Sequence, residues 1–184
     1  VSDRFDSPGG AILGTKRLVL RPFALEDQGA LYALFTHPDV RRFLWDDRII
    51  GTETVQAVIT ASLASFAALG FGQWVAEDRG TRALVGFCGL RPIDDTQEIE
   101  LLYALVRERW GEGLATEAAN AVLRHGFLHL GLERVAGRTD RPNLASVRVL
   151  ERLGMRFEGE RAVQGRPTLH YALSAAAFRS RKAL

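Results

Sequence analysis

Apolar side chains recur at Ala115, Ala118, Ala119, Val122, Leu123, Phe127 and Leu130. Steps of three and four put them on one face of a helix over residues 114–130, which Gly131 ends. A second stripe, Val55, Val58, Ile59, Leu63, Phe66 and Leu69, predicts a helix from near residue 52 to residue 70. Glu26-Asp27 opens a shorter helix carrying Ala30, Leu31, Leu34 and Phe35, and His37-Pro38 reads as its end. A fourth helix is expected over residues 144–153, begun by Pro142-Asn143 and stopped by Gly154.

The remaining pattern is that of strands. Residues 17–23 alternate and meet Pro22. Residues 73–77 and 84–92 form a pair around the turn Asp78-Arg79-Gly80. Residues 98–106 are almost continuously apolar, as in a strand covered on both faces, so this one is central. Residues 134–139 make a short strand, and residues 155–163 and 167–173 flank Gln164-Gly165-Arg166. An antiparallel run followed by one βαβ crossover predicts a mixed α/β (α+β) fold. The expectation is a single domain with a twisted, mostly antiparallel sheet of about six or seven strands and about four helices. Residues 1–14, with Pro8, Gly9 and Gly10 and no period, read as a flexible leader to a domain over residues 15–184.

Composition narrows the class. At 184 residues, 47% hydrophobic and 25% charged, the chain is an ordinary single globular domain. Cys88 is the only cysteine, which excludes an intramolecular disulfide and a multi-cysteine zinc site. It reads as a small buried hydrophobe and not as a nucleophile. No apolar run approaches a membrane span and no basic-then-apolar signal is visible, so a cytoplasmic protein is expected. The formal net charge of +2 and the absence of a recognition motif argue against nucleic acid, although arginines gather in the second half.

The chemistry concentrates after the central strand. Trp110-Gly111-Glu112-Gly113-Leu114-Ala115-Thr116 opens the strongest helix. Two glycines there admit a close backbone approach, and the free N–H groups of a helix start suit a phosphate. A plain strand–helix turn would carry the same glycines. Thr116 stands where a dinucleotide fingerprint has its third glycine, and no G-K-[ST] follows, so neither nucleotide motif fits. Asn143 and Gly154 are explained as helix cap and stop, whereas Ser146 is left open as cap, surface or ligand group.

Taken together, W-G-E-G-L-A-T-E-A from Trp110 and T-D-x-x-N-x-x-S-x-R-V-L-E-R-L-G-M from Thr139 resemble the GNAT acyltransferase superfamily. The likeness is greatest to the branch of ribosomal-protein alanine N-acetyltransferases. Residues 15–23, 39–44 and 84–90 add further matches, so the resemblance spans about residues 15–180. It implies acetyl transfer from acetyl-CoA to a primary amine, on a protein N-terminus or a small molecule, by direct attack in a ternary complex. It implies a phosphate loop at Trp110, Gly111, Glu112, Gly113, Leu114, Ala115 and Thr116. Trp110 replaces the superfamily's Gln or Arg. The pantetheine arm would lie along Tyr103, Ala104, Leu105 and Val106, with a backbone N–H near Leu105 facing the oxyanion. Asn143 would bond the arm, Ser146 would stand near the sulfur as a candidate acid, and Arg152 would meet the 3′-phosphate. Glu100 matches a candidate base, and its other reading is a strand-face carboxylate paired with an arginine. Phe43, Trp45, Trp74 and the turn at residues 164–167 would wall the acceptor cleft.

Asp46, Asp47 and Glu100 together would suit a cationic amine. His125 and His129 share a helix face, but Gly126 stands where H-E-x-x-H has its glutamate, so no metal is expected. The other reading is a CoA-binding module without catalysis, acting as a sensor or interaction partner. Family members occur as monomers and as homodimers, and either state is compatible with the sequence.

Overall fold

The computed structural model describes residues 11–93, 96 and 98–181. Strands β1 (Leu13–Gly14), β2 (Leu18–Pro22), β3 (Gln73–Asp78), β4 (Leu84–Pro92), β5 (Ile99–Leu105), β6 (Arg134–Asp140), β7 (Arg156–Val163) and β8 (Arg166–Ser174) join in one sheet. Their order is β1-β2-β3-β4-β5-β6-β8-β7. Every neighbouring pair is antiparallel except β5 and β6, which the single crossover makes parallel. The helices are α1 (Gln28–Thr36), α2 (Pro38–Leu44), α3 (Thr52–Leu69), α4 (Leu114–Leu128), α5 (Leu144–Arg152) and α6 (Ala175–Ser180).

The mixed, mostly antiparallel architecture is the expected one, with small differences in count. The eighth strand is β1, inside what reads as a leader: Leu13 and Gly14 pair with Leu20 and Val19. Residues 1–10 of that leader lie outside the described residues. One added helix is α2. Pro38 starts it as an N1 residue, with His37 as cap accepting the Asp39 N–H, so the proline opens a helix where it reads as closing one. The other is α6, capped by Ser174.

Strand alternation divides the core. Leu18, Leu20, Trp74, Ala76, Cys88, Leu90, Leu101 and Leu105 share one cluster with Leu114, Ala118, Val122, Leu123 and Phe127 of α4. Phe23, Val75 and Phe87 belong to a second cluster with Leu31, Leu34 and Phe35 of α1 and Val55 and Ile59 of α3. Phe87 meets Phe23 and Phe35 edge-on, at centroid distances of 5.9 and 5.4 Å. Helix α3, at 18 residues and mean hydropathy 1.2, is long and apolar enough to cross a membrane, which the sequence reading had excluded. Here it puts Val55, Ile59 and Phe66 into the core and leaves Glu53, Gln56 and Thr60 toward the outside, as an amphipathic core helix does.

One interruption in the sheet positions everything that follows. Strand β5 pairs with β4 along its whole length, from Gly86↔Leu105 to Pro92↔Ile99. On its other side it pairs with β6 at one register point, Glu100↔Ala136. Beyond it the ladder stops, and among the described residues one edge of β5 has no strand partner over residues 101–105.

Candidate active site

The free edge of β5 leads into a 3₁₀ turn at Arg107–Arg109 and then into the glycine loop. Gly111 and Gly113 adopt φ of 81° and 79°. An L side chain at such φ costs roughly 1–2 kcal/mol, so the backbone conformation demands glycine at both. Gly113 is the N-cap of α4. The first helical bond of that end runs from the Glu117 N–H to the Gly113 carbonyl at 3.1 Å. The N–H groups of residues 114–116 therefore have no intrahelical acceptor. Leu114 is fully buried and pins the helix start to the core.

Side chains fix the loop from several directions. The Trp110 Nε1–H donates to the Leu105 carbonyl at 2.8 Å, and the Arg107 guanidinium lies over its ring at 4.8 Å. Arg109 donates to Glu112 at 3.0 Å and to Asp78 at 3.1 Å. Backbone N–H groups of Thr81 and Gly80, with Arg109, hold the Asp78 carboxyl below the usual range. The Thr116 Oγ1 is buried with no hydrogen-bond partner among the described residues.

Across the gap stands the start of α5. The Asn143 Oδ1 accepts the Ser146 N–H at 3.2 Å. The hydroxyls of Ser146 and Tyr103 lie 2.7 Å apart, so β5 and α5 are joined across the opening. Burial raises the Tyr103 hydroxyl well above the ordinary tyrosine range, against the Ser146 hydrogen bond, so it stays protonated at neutral pH.

Next to this gap is a cleft of about 590 Å³ lined by Arg42, Phe43, Asp47, Asp140, Arg141, Pro142, Arg166 and Pro167. Arg166 reaches Asp46 at 3.0 Å and Asp140 at 3.4 Å. Burial raises the Asp140 carboxyl above its usual range; Arg166 opposes the shift and Asp46 adds to it.

An open strand edge running into a helix start with free N–H groups is one half of an identification. The other half is the match of residues 17–156 to a family model described as an acetyltransferase (GNAT) domain. This chain belongs to the GNAT acetyltransferase family. Among its relatives are the uncharacterized protein YkkB and the uncharacterized N-acetyltransferase YoaA, both of Bacillus subtilis strain 168. YkkB is 34% identical, over 79% of this chain and 85% of its own. YoaA is 30% identical, over 80% of this chain and 84% of its own. The GNAT fold is shared with the ribosomal L7/L12 alpha-N-protein acetyltransferase RimL, solved in complex with coenzyme A. Its TM-score is 0.77 at 16% identity, covering 91% of this chain and 99% of that one.

Against the GNAT frame, the sequence-predicted residues fall into three groups. Tyr103, Ala104 and Leu105 lie on β5, the loop from Trp110 to Thr116 follows it, and Asn143 and Ser146 open α5 opposite Tyr103, whereas Val106 lies past the strand and donates its N–H to the Val85 carbonyl at 3.0 Å. Phe43 lines the cleft.

A second group lies elsewhere. Trp74 is fully buried on the α4 face, edge-on to Phe66 at 4.7 Å and to His125 at 5.8 Å. Strand alternation sends it there, since it pairs with Cys88 and not with the residues of the second core. It cannot wall the cleft. Trp45 is half-buried and tilted against Phe35 at 5.8 Å; the cleft lining does not include it. Arg152 is exposed on the last turn of α5, at the far end from Asn143.

The third group consists of acids already engaged by arginine. Glu100 is 4% exposed, and both of its oxygens are held. Arg138 donates at 2.6 and 2.9 Å, and Arg91 at 3.0 and 2.9 Å. The paired-carboxylate reading is the one the structure realises, and Glu100 has no oxygen free of an arginine to serve as base. Asp47 is bound by Arg41 at 2.8 Å, and Asp46 by Arg166. The three acids expected to attract a cationic amine are thus each paired. Arg166 and Pro167, from the turn expected to wall the cleft, do line it. Asp140, which meets Arg166 there, escaped the sequence reading because β6 and the β7–β8 turn approach only in three dimensions.

His125 and His129 stack at 5.5 Å, and burial lowers the His125 pKa. Among the described residues, no group of three or more His, Cys, Asp or Glu side chains is placed to hold a metal.

Proposed function

We propose that this GNAT domain, over residues 15–184, transfers an acetyl group from acetyl-CoA to a primary amine by direct attack in a ternary complex. The observation that carries the reading is the unpaired edge of β5 leading into the free N–H groups of residues 114–116. A chain of amides ending in phosphates fits that sequence of groups: a strand edge bonds amides, and a helix start holds anions. Acetyl-CoA would supply the acetyl thioester and the thiolate leaving group.

The residues of the chain then divide the work. Tyr103 and Leu105, whose backbone groups alternate onto the unpaired edge, bind and align the arm, while Ala104 and Val106 turn theirs to β4, the Val106 N–H donating to the Val85 carbonyl at 3.0 Å. A backbone N–H of that edge faces the developing oxyanion. Asn143 fixes the start of α5, and Ser146 delivers a proton to the leaving sulfur, backed by the protonated Tyr103 hydroxyl. Asp140 takes the proton of the attacking amine, in place of Glu100. Cys88 is fully buried, and that burial raises its thiol far above the ordinary range, which suits a route without an acyl-enzyme.

Charge balance in the cleft bears on the acceptor. Its carboxylates are paired with arginines, whereas Arg42 lies over the Phe43 ring at 5.2 Å. An amine that also carries an anionic group fits this lining better than a polycation. No nucleic-acid or membrane partner enters this reading. The engagement of Glu100 by two arginines favours a second reading, a CoA-binding module without turnover.

The deciding experiment is thermal unfolding with and without acetyl-CoA, followed by thiol release with a panel of amines. Ligand at 100 times its dissociation constant stabilises by about 2.7 kcal/mol, a shift of several degrees. A shift with turnover supports the transferase. A shift without turnover on any amine supports the binding module. No shift overturns both.

A further inference from the structure

Glu117 poses a problem for an anion site. It lies in the first turn of α4, where its negative charge opposes a phosphate at the helix start. The structure shows what neutralises it. Its Oε1 accepts from the Thr15 hydroxyl at 2.7 Å and from the Arg17 N–H at 2.8 Å. Its Oε2 accepts from the Arg17 Nε at 2.7 Å, and the Nη2 stands in ion-pair contact with the same oxygen at 2.7 Å. Burial works to raise the Glu117 carboxyl, but these three hydrogen bonds and the Arg17 charge hold it below its usual range.

The carboxylate therefore acts as an anchor for the Arg17 guanidinium. The Arg17 Nη1 donates to the Glu112 carbonyl at 3.0 Å, inside the glycine loop. The Nη2 lies 3.9 Å from where a Gly113 side chain would begin. A guanidinium has five N–H groups, and two of these donate hydrogen bonds, with the Nη2 held against Glu117 as an ion pair. The side chain is 42% exposed, so the guanidinium beside the N-cap of α4 has N–H groups within reach of an incoming ligand.

We propose that Arg17 is a phosphate-binding residue of the donor site, with Glu117 and Thr15 as its positioning residues. It comes from the strand region nearly a hundred positions before the loop, outside the W-G-E-G-L-A-T segment. The proposal rests on the acetyl-CoA reading. Its ligand chemistry is a phosphate ester, met by a fixed two-pronged donor.

Titration calorimetry with CoA and with pantetheine, which lacks the phosphates, tests it. Arg17→Gln should weaken CoA by about tenfold or more, as for loss of a charged hydrogen bond, and leave pantetheine unchanged. Glu117→Gln, which loosens the guanidinium, should lower the CoA-to-pantetheine preference in the same direction. Equal weakening of both ligands, or an unchanged CoA affinity, overturns the proposal. Should Arg17→Gln fail to fold, Arg17→Lys takes its place: it keeps the charge and loses the fork. An unchanged preference in that variant also overturns the proposal. Wild-type protein that binds neither ligand overturns the acetyl-CoA reading itself, whereas wild-type binding of both leaves only Arg17 at stake.

Discussion

The Tyr103 and Ser146 hydroxyls, 2.7 Å apart, tie the unpaired edge of β5 to the first turn of α5. The bond bridges the gap, and burial keeps the Tyr103 hydroxyl protonated beside Ser146.

Ser146→Ala and Tyr103→Phe should each lower kcat by about 100-fold, the scale of one general acid. Their melting temperatures should shift little by comparison. Because the two groups act as one unit, the double variant should be no slower than the worse single one. Additive losses in a double-mutant cycle would show that they act separately.

Glu100→Gln should be a stability variant. Removing a buried carboxylate from two guanidiniums leaves Arg138 and Arg91 facing each other, at a cost of about 3 kcal/mol. Urea unfolding measures this. Turnover per folded molecule should stay within a few-fold of wild type, and a loss of 100-fold would restore Glu100 as the base.

Asp140 should govern the acid side of the pH profile. Its carboxyl lies above the ordinary range through burial, so the base form fills in at a higher pH than for a surface aspartate. kcat/KM should fall as pH drops through that raised value. Asp140→Asn should be slow and should lose this limb, and a limb that persists in the variant excludes the assignment.

Folding stability should decline with acid in two stages. His125 is held neutral by burial, so its pKa is lower folded than unfolded, and the unfolded chain binds the extra proton. Stability is therefore lost as pH falls below about 6.5, the ordinary histidine value. Glu117 shifts down, so its contribution is intact above the ordinary carboxylate range and disappears only below about pH 4. Melting temperatures from pH 8 to pH 3 read both stages. His125→Gln should diminish the first and leave the second.

Much of this protein is legible along the chain. The stripe of α4 and the continuous apolar run of β5 are local periodicities, and Gly111 and Gly113 report a backbone conformation no other residue adopts cheaply. The motif order pointed to the GNAT family, which the match over residues 17–156 then established. Pro38 misled because proline has the same local meaning before a helix as after one. Trp74 misled because residues adjacent in a strand face opposite ways, and which face meets the cleft is not a local property.

The amino-acid pattern alone determined most of the elements, though not β1, α2 or α6, together with the central place of β5 and the glycine loop, since these follow from spacing and backbone sterics. Tertiary structure alone decided which charges are free. Glu100 meets Arg138 from another strand, Glu117 on α4 meets Arg17 just before β2, and Asp140 meets Arg166 at a turn. An ion pair forms between side chains distant in sequence, and its partners are chosen by where the fold brings them, within a few ångströms that no periodicity encodes.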